Sequence, residues 1–339
     1  MIIDDSERLS QITLTTARGQ EVVYPMLEFT GERFLPWAEG TRIHYEHLHR
    51  YAFAAELVKG KRVLDLASGE GYGSYMLSRE AIQVVGVEID QQTVDYANRR
   101  YSNDSIQFIC GSILDIPIQG HKIFDVVVCF EAIEHVEDHD KLLSEVKRLL
   151  KEDGLFIVST PNKATYTDQR HYQNPFHKRE LYLDEFKSIL GSYFENVRIL
   201  GQRIYAMSYL WDMSAKKYSN YREFVVNRRD KEFSFDAGER KAALYFVALA
   251  SDVGLDRRIL NTSSCMVDVS DALINEYQGQ INLLANKINA LDHSSVLIAT
   301  MRFQSLIERL MPGGTWRRTL FEHSLTPIRI IIGKGHRSL

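Results

Sequence analysis

Residues 63–73, VLDLASGEGYG, constrain the fold of this chain more than any other segment. A short apolar run leads to Asp65, and Gly69, Gly71 and Gly73 follow at every second position. A strand, an acidic residue and a glycine-rich turn in this order are typical of the first strand-to-helix junction of a doubly wound α/β sheet, where nucleoside cofactors bind. Glycine lets the backbone approach a ligand closely because it has no Cβ. The third glycine comes one residue too early for the G-x-G-x-x-G spacing of NAD-binding loops.

Further apolar runs follow this loop along the chain. They alternate with helical patterns such as 93–101 and 139–150, and this alternation predicts a parallel sheet. The predicted strands after the first are 83–90, 108–118, 124–135, 154–162, 196–204 and 245–251. Helices are also predicted at 50–58 and 183–190, and a short strand pair at 12–14 and 21–24.

The order and spacing of these motifs resemble those of the class I S-adenosylmethionine-dependent methyltransferases, over about residues 28–251. The resemblance implies an α/β fold with a doubly wound, seven-stranded, Rossmann-like sheet whose last strand is antiparallel. It implies S-adenosylmethionine as the cofactor and S-adenosylhomocysteine as the product. The pattern GERFLP followed by EHLHRYAFA also resembles methyltransferases of bacterial surface polysaccharides.

The resemblance assigns cofactor binding to residues at the ends of the first four strands. Glu88 ends the second strand, where its carboxylate can accept hydrogen bonds from both ribose hydroxyls. Ser112 stands where the family usually has an Asp that contacts the adenine amino group, and Asp115 is a second candidate for that contact. The residues expected at the cofactor are Asp65, Ala67, Gly69, Gly71, Gly73, Glu88, Ile89, Ser112, Ile113 and Phe130.

Acceptor chemistry is assigned to the residues that follow the fourth strand. Methyl transfer to a hydroxyl needs alignment of the reacting atoms and a base that removes the proton. Glu131, Glu134 and His135 are the candidates, and His135 is preferred as the base because the ordinary pKa of histidine lies near working pH. A purely structural role for Glu134 and His135 is the alternative. The residues expected to contact the substrate are His47, Arg50, His171, Tyr172 and His177.

The E-x-x-E-H spacing of these three residues also resembles quinone-pathway O-methyltransferases, in which such residues hold a divalent ion. A metal is an alternative that the sequence does not favour. Two acceptor classes therefore stay open. The preferred one is a hydroxyl of a bacterial polysaccharide or glycan, with methylation terminating the growing chain. The other is a small phenol, a quinone precursor or a lipid. A third hypothesis is a scaffold that binds the cofactor without turnover.

The chain is predicted to have four regions. These are an N-terminal lid segment (1–50), a methyltransferase domain (51–251) with a substrate-side insertion (205–240), a helical or coiled-coil region (252–311) and a basic amphipathic tail (312–339). In the third region an apolar heptad pattern predicts a homo-oligomer through residues 274–291. Its members are Ile274, Tyr277, Ile281, Leu284, Ile288 and Leu291. A helix folded back on its own domain is the alternative.

Charge and composition limit the partners and the compartment. The net charge of −4 argues against a general nucleic-acid binder. Cys110, Cys129 and Cys265 form no cluster with metal-ligand spacing, so neither disulfides nor a zinc site of cysteines is expected. No apolar run is long enough to span a membrane, and the first residues do not read as a signal peptide. The sequence predicts a cytoplasmic protein, with the basic tail binding the inner membrane surface or a polysaccharide-assembly partner.

Overall fold

The computed structural model describes residues 11–15, 21–25, 41–208, 210, 223–229, 232–235, 241–255, 263–292 and 295–319. The chain divides into two compact units, Met1–Val267 and Asp268–Leu339. The elements of the first unit are β1 (Gln11–Thr15), β2 (Glu21–Pro25), α1 (Thr41–Leu57), β3 (Arg62–Leu66), α2 (Tyr72–Ser78), β4 (Gln83–Glu88), α3 (Gln91–Tyr101), β5 (Ile106–Cys110), β6 (Phe124–Phe130), α4 (His139–Leu149), β7 (Leu150–Pro161), α5 (Leu183–Gly191), β8 (Asn196–Gln202), β9 (Val226–Arg229), β10 (Glu232–Phe235) and β11 (Tyr245–Ser251).

Seven of these strands form the main sheet, in the order β5-β4-β3-β6-β7-β11-β8. The strands are parallel except for β11, which is antiparallel to both of its neighbours, β7 and β8. The predicted fold class is therefore confirmed, including the antiparallel last strand. After β3 the chain forms β4 and β5 on one side of β3. It then crosses over and forms β6 on the other side of β3. The crevice at the carboxyl ends of β3 and β6 is the place where doubly wound folds bind ligands.

Alternate side chains of each buried strand serve opposite faces of the sheet. Val63 packs in one apolar cluster and Leu64 in the other, and Val126 and Val127 divide in the same way. A parallel sheet covered by helices on both faces needs such continuous apolar runs, which explains why the strands were recognisable in the sequence.

Helix α1 packs against the first turn of α2 through an unusually close contact. A Cβ on Gly73 would lie 2.0 Å from Cζ of Tyr51, so only glycine allows the two helices to approach this far. Helix α1 begins no later than Thr41, whereas the sequence predicted a helix from Arg50. Two predicted strands are also shorter than expected, since β5 ends at Cys110 and β6 at Phe130. A 3₁₀ turn, Ile133–His135, follows β6.

The small strand pairs lie outside the main sheet. The antiparallel pair β1–β2 agrees with the predicted one, and β9–β10 forms a second pair within the insertion. Residues 1–10, 16–20 and 26–40 of the predicted lid, which include the GERFLP pattern, lie outside the described residues, whereas residues 41–50 belong to α1. Residues 209, 211–222, 230–231 and 236–240 of the insertion and residues 320–339 of the tail also lie outside the described residues.

In the part of the second unit that the structure describes, the two long helices are α6 (Ala272–Asp292) and α7 (Ser295–Leu310), and residues 316–319 are helical as well. Residues 252–255 and 263–271 carry no helix, so the helical region begins later than the predicted residue 252. Five members of the heptad pattern, Ile274, Tyr277, Ile281, Leu284 and Ile288, are 45–66% exposed in the single chain. The predicted coiled coil stays a prediction. No helix in the described part of the chain is both long and apolar enough to span a membrane.

Candidate functional site

Three residues of the loop between β3 and α2 have the left-handed backbone conformation that favours glycine. Ala67, Gly69 and Gly71 all have positive φ, at 54°, 56° and 97°. At Gly71 a Cβ would also lie 2.8 Å from the Phe108 ring, whereas beside Gly69 no atom lies within 4 Å of a Cβ position. The loop therefore leaves open space at Gly69, where a ligand can come close to the backbone.

Glu88 lies beside this loop at the carboxyl end of β4. Its Oε2 accepts a hydrogen bond from the Gly69 N–H at 3.0 Å, and its Oε1 accepts one from the Asp90 N–H at 3.2 Å. These bonds hold the carboxylate at the loop while each oxygen keeps a second acceptor site. The next residue, Ile89, is apolar and 72% exposed. A carboxylate next to an exposed apolar side chain fits a ribose and the face of its base.

Two further predicted cofactor residues follow β5, next to Glu88. Ser112 Oγ accepts a hydrogen bond from the Leu114 N–H at 3.1 Å, and its own O–H can still donate. Ile113 is partly buried against the core. The structure thus brings Glu88, Ile89, Ser112 and Ile113 to one edge of the sheet, as predicted.

Three of the predicted cofactor residues pack against neighbouring helices in the structure. Asp65 is fully buried, and its carboxylate accepts hydrogen bonds from Ser74 Oγ at 2.6 Å and from Tyr51 O–H at 3.3 Å. Burial raises the pKa of Asp65 to about 7. Phe130 is buried edge-on against Tyr51, with ring centroids 5.0 Å apart, and Gly73 gives room to the same ring. These residues fasten α1 and α2 to the sheet behind the loop, and their predicted contact with the cofactor stays a prediction.

Glu70 is a buried acidic residue of the same loop that the sequence interpretation missed. It is 1% exposed, and Tyr101 O–H donates to its Oε2 at 3.1 Å. Burial raises the pKa of Glu70 to about 7, against the smaller opposing effects of Arg100 and the Tyr101 hydrogen bond. No sequence signal separates it from a solvent-exposed glutamate between two glycines.

Glu131 follows β6 directly and is held in place on the acceptor side. Its φ of 50° is the left-handed conformation that residues other than glycine rarely adopt. Ser159 Oγ donates to its Oε1 at 2.6 Å, and Arg50 Nη1 lies 3.6 Å from the same atom. Ser159 of β7 and Arg50 of α1 therefore hold the Glu131 carboxylate in a fixed position beside the crevice.

Glu134 and His135 come three and four residues after Glu131, in the 3₁₀ turn. Glu134 is 1% exposed, and Thr160 Oγ1 donates to its Oε2 at 3.2 Å. Burial raises the pKa of Glu134 well above its ordinary value, and the nearby charge of Glu131 raises it further. His135 Nδ1 lies 3.1 Å from the carbonyl oxygen of Phe176. Since a carbonyl only accepts, Nδ1 carries the hydrogen, and Nε2 is the basic nitrogen of neutral His135.

The loop after β7 brings His177 against His135, with ring centroids 5.1 Å apart. His177 Nδ1 donates to Glu180 Oε1 at 2.6 Å, and Tyr166 stacks on the His177 ring at 5.6 Å. Tyr172, half-exposed, packs against Tyr166. The sequence interpretation missed Tyr166 and Glu180, although the H-x-x-E spacing of the histidine and Glu180 was a usable signal.

The remaining predicted substrate residues divide between surface and interior. His171 lies at the surface of the same loop. His47 Nδ1 lies 3.2 Å from Tyr72 O–H, and burial lowers the pKa of His47 well below its ordinary value, with Arg50 lowering it further. Arg50 is 2% exposed, donates to Gln202 Oε1 at 2.8 Å and stacks over the Tyr245 ring. Arg50 is therefore buried beside Glu131, and its predicted contact with the substrate stays a prediction.

A cavity of about 390 Å³ lies between α1 and the ends of β8 and β11. Its lining includes His49, Arg50, Gln202, Arg203, Lys241 and Ser264. The lining is rich in basic groups and adjoins the crevice through Arg50, so it is a second candidate surface for an acceptor.

Comparison with known proteins agrees with this geometry. Residues 64–158 match the family model described as a methyltransferase domain. This part of the chain is similar to a methyltransferase domain. The chain is similar to a probable S-adenosylmethionine-dependent methyltransferase of Mycolicibacterium smegmatis, with 37% identity over 166 residues, which cover 48% of this chain and 63% of that protein. A ubiquinone biosynthesis O-methyltransferase of Coxiella burnetii is 31% identical over 108 residues, which cover 31% of this chain and 46% of that protein. The chain thus covers less than two thirds of the length of either relative.

Among solved structures, the YcgJ protein of Bacillus subtilis matches with a TM-score of 0.41 and 22% identity, covering 46% of this chain and 71% of that one. The cofactor implied by the methyltransferase domain is S-adenosylmethionine. The described residues fit this cofactor, because Glu88 lies where a ribose can be gripped, Gly69 borders open space and Ile89 offers an exposed apolar surface.

Proposed function

We propose that this chain is an S-adenosylmethionine-dependent O-methyltransferase that methylates a hydroxyl of a bacterial surface glycan. Glu88 and Ser112 would hold the nucleoside, and the backbone of residues 67–71 would hold the methionine part. When bound, the cofactor supplies an electrophilic methyl group. The chain's own residues must then orient the acceptor hydroxyl and remove its proton.

The placement of His135 is the observation that carries this proposal. It lies after β6, the strand next to β3, so it borders the same crevice as the cofactor loop. The hydrogen bond from Nδ1–H to the Phe176 carbonyl fixes the ring and makes Nε2 the nitrogen that can accept a proton. Glu134, close by and buried, favours a positive charge developing on the imidazole when it is itself ionised.

Exposed aromatic side chains on the loop after β7 support a sugar acceptor. Tyr172 and Phe176 are 49% and 37% exposed. The Phe176 carbonyl contacts His135, and Tyr172 packs against Tyr166, which stacks on His177. Aromatic faces suit the apolar faces of sugar rings, and the GERFLP pattern of the sequence resembles polysaccharide methyltransferases. The proposal also places the enzyme in the cytoplasm, with the basic tail at the inner membrane surface. The charge of that tail supports this location.

A small phenol or quinone precursor is the second candidate acceptor. The E-x-x-E-H spacing and the similarity to the ubiquinone biosynthesis O-methyltransferase favour it. The two candidates differ in what the loop after β7 must accommodate, a sugar chain or a single planar ring.

Incubation with methyl-labelled cofactor and a panel of lipopolysaccharide-derived oligosaccharides, phenols and quinone precursors tests the proposal. Labelling of an oligosaccharide is expected, and labelling of phenols or quinone precursors alone would refute the glycan acceptor. Release of S-adenosylhomocysteine would exclude a scaffold without turnover.

His135→Ala tests the role of the histidine with the acceptor so identified. Turnover is expected to fall by about 10²–10⁴-fold, the usual contribution of a general base, with little change in cofactor affinity. His121→Ala, which alters an exposed histidine before β6, is the matched control. Full turnover in the His135 variant would give that residue a structural role.

A further inference from the structure

We propose that Glu134, His135 and His177 bind a divalent transition-metal ion of the zinc type. In the part of the chain that the structure describes, these three side chains form the one group of potential ligands whose donor atoms all lie within 4.8 Å of one another. A tetrahedral zinc ion holds its ligand atoms about 3.4 Å apart. Side-chain movements of about 1 Å therefore close the set.

Both histidines are oriented in the way that protein metal ligands usually are. A metal-binding histidine typically donates its other ring N–H to a carboxylate or a backbone carbonyl, which fixes the tautomer and the ring plane. His177 Nδ1 donates to Glu180, and His135 Nδ1 donates to the Phe176 carbonyl. In each ring, Nε2 is then the nitrogen that would face a metal. At His177 this nitrogen accepts a hydrogen bond from Asn174 Nδ2 at 3.0 Å, which a bound ion would displace.

The carboxylate behind His177 is itself held in position. Glu180 accepts a second hydrogen bond, from Thr167 Oγ1 to its Oε2, and the His177 and Glu180 side chains are 7% and 8% exposed. The hydrogen bonds that Thr167 and His177 donate to Glu180 restrict all three side chains. A histidine that only contacts substrate at the surface does not need to be held in this way. This is the arrangement that supports a ligating histidine.

The third donor is the carboxylate of Glu134, which is 1% exposed. A buried carboxylate is stabilised by a cation, and Thr160 fixes its orientation through Oε2. Glu131 does not complete the set, because Ser159 and Arg50 already engage its carboxylate. The ligand that joins Glu134 and His135 in the proposed site is therefore His177, from the loop after β7, and not Glu131 of the E-x-x-E-H pattern.

The types of ligand atom determine which metal ion the site can bind. Two imidazole nitrogens and one carboxylate oxygen suit zinc and related transition ions, whereas magnesium prefers oxygen ligands alone. Three protein ligands also leave a position open for a water or a hydroxyl group. For the reaction, the inference rests on the proposed function, because a bound cation would lower the pKa of an acceptor hydroxyl. His135 would then hold the ion in the metal-bound chain, and its role as the base would apply to the chain without metal.

Metal binding is measured on the full chain without cofactor or acceptor, so the test does not depend on activity. The chain is stripped with a chelator and titrated with Co²⁺ as a spectroscopic probe, followed by competition with Zn²⁺. We expect one ion per chain, visible absorption typical of four- or five-coordinate Co²⁺ with nitrogen ligands, and displacement by Zn²⁺.

The variants identify the ligands. His177→Ala and His135→Ala are expected to weaken binding by about 100-fold or more, and Glu180→Gln by about 10–100-fold. His171→Ala, an exposed histidine of the same loop, is the matched control and should bind as the unmodified chain does. Binding of S-adenosylhomocysteine, measured separately, shows that each variant is folded.

Absence of stoichiometric Co²⁺ binding by the unmodified chain would overturn the inference. So would binding that His177→Ala leaves unchanged, or that His171→Ala weakens equally. The failure of the proposed function gives a different result, because a chain that binds Co²⁺ through these residues but no S-adenosylhomocysteine would keep the metal site and lose the methyltransferase activity.

Discussion

Replacement of Glu70 by Gln should make the protein more stable at neutral pH and change little at acid pH. The carboxyl group is 1% exposed and accepts a hydrogen bond from Tyr101 O–H. Burial raises its pKa from 4.5 to about 7. A glutamine has nearly the same shape, and its carbonyl can accept the same hydrogen bond, but it never carries the buried charge.

The size of the effect follows from proton linkage. Between pH 4.5 and about 7 the folded chain keeps the Glu70 proton while the unfolded chain loses it. The folded state therefore binds more protons, and the free energy of unfolding falls as the pH rises through this window. Each pKa unit corresponds to 1.36 kcal/mol, so the loss above pH 7 is about 3 kcal/mol. The Gln variant escapes this loss.

Urea unfolding at pH 5, 6 and 8 measures the difference between the variant and the unmodified protein. The difference should grow with pH in favour of Glu70→Gln, by up to about 3 kcal/mol at pH 8. Glu80→Gln, which changes an exposed glutamate near the end of α2, is the matched control and should show no such trend. A difference that is the same at pH 5 and pH 8 would refute the reasoning, because it would mean that Glu70 is ionised to the same extent in both states.

Three further predictions concern the cofactor, the core and assembly. Glu88→Ala should weaken S-adenosylmethionine binding by about 1.5–3 kcal/mol in calorimetry, the scale of a charged hydrogen bond, and unchanged affinity would place the ribose elsewhere. Gly73→Ala should lower the free energy of unfolding by about 1–3 kcal/mol, because the added methyl group overpacks the contact with Tyr51 of α1. An unchanged free energy of unfolding, measured with urea, would contradict this contact. We propose that the heptad pattern self-associates, so Asp at both Ile281 and Leu284 should release monomers in light scattering. Equal subunit numbers for the full chain and for a chain ending at Ser251 would refute this.

The positions of the strands along the chain could be predicted from the sequence, because each buried strand is a continuous apolar run. The ends of elements were less predictable, since they depend on contacts between distant residues. Gly73 shows why. Its spacing suggested a cofactor loop, but the ring that requires the glycine is Tyr51, 22 positions earlier. No local pattern contains that partner.

The candidate site was predictable at the level of position and not of pairing. The sequence placed Glu88 and His135 at the carboxyl ends of their strands, because parallel strands end at one edge of the sheet. It could not show that Arg50 and Ser159 engage Glu131, or that His177 reaches His135 across 42 positions. Such pairs depend on the path of the loop after β7, which the alternation of strands and helices leaves open.

The pairing of β8 with β11 has a consequence for how this enzyme could acquire new acceptors. Gln202, the last residue of β8, pairs directly with Tyr245, the first residue of β11. Everything from 203 to 244 therefore leaves and re-enters the sheet at a single pair of neighbouring residues. The entropy of closing such a segment changes only slowly with its length. Such a segment can be exchanged whole while the sheet folds unchanged, and if it contacts the acceptor, as the sequence predicts, the exchange would change the acceptor preference.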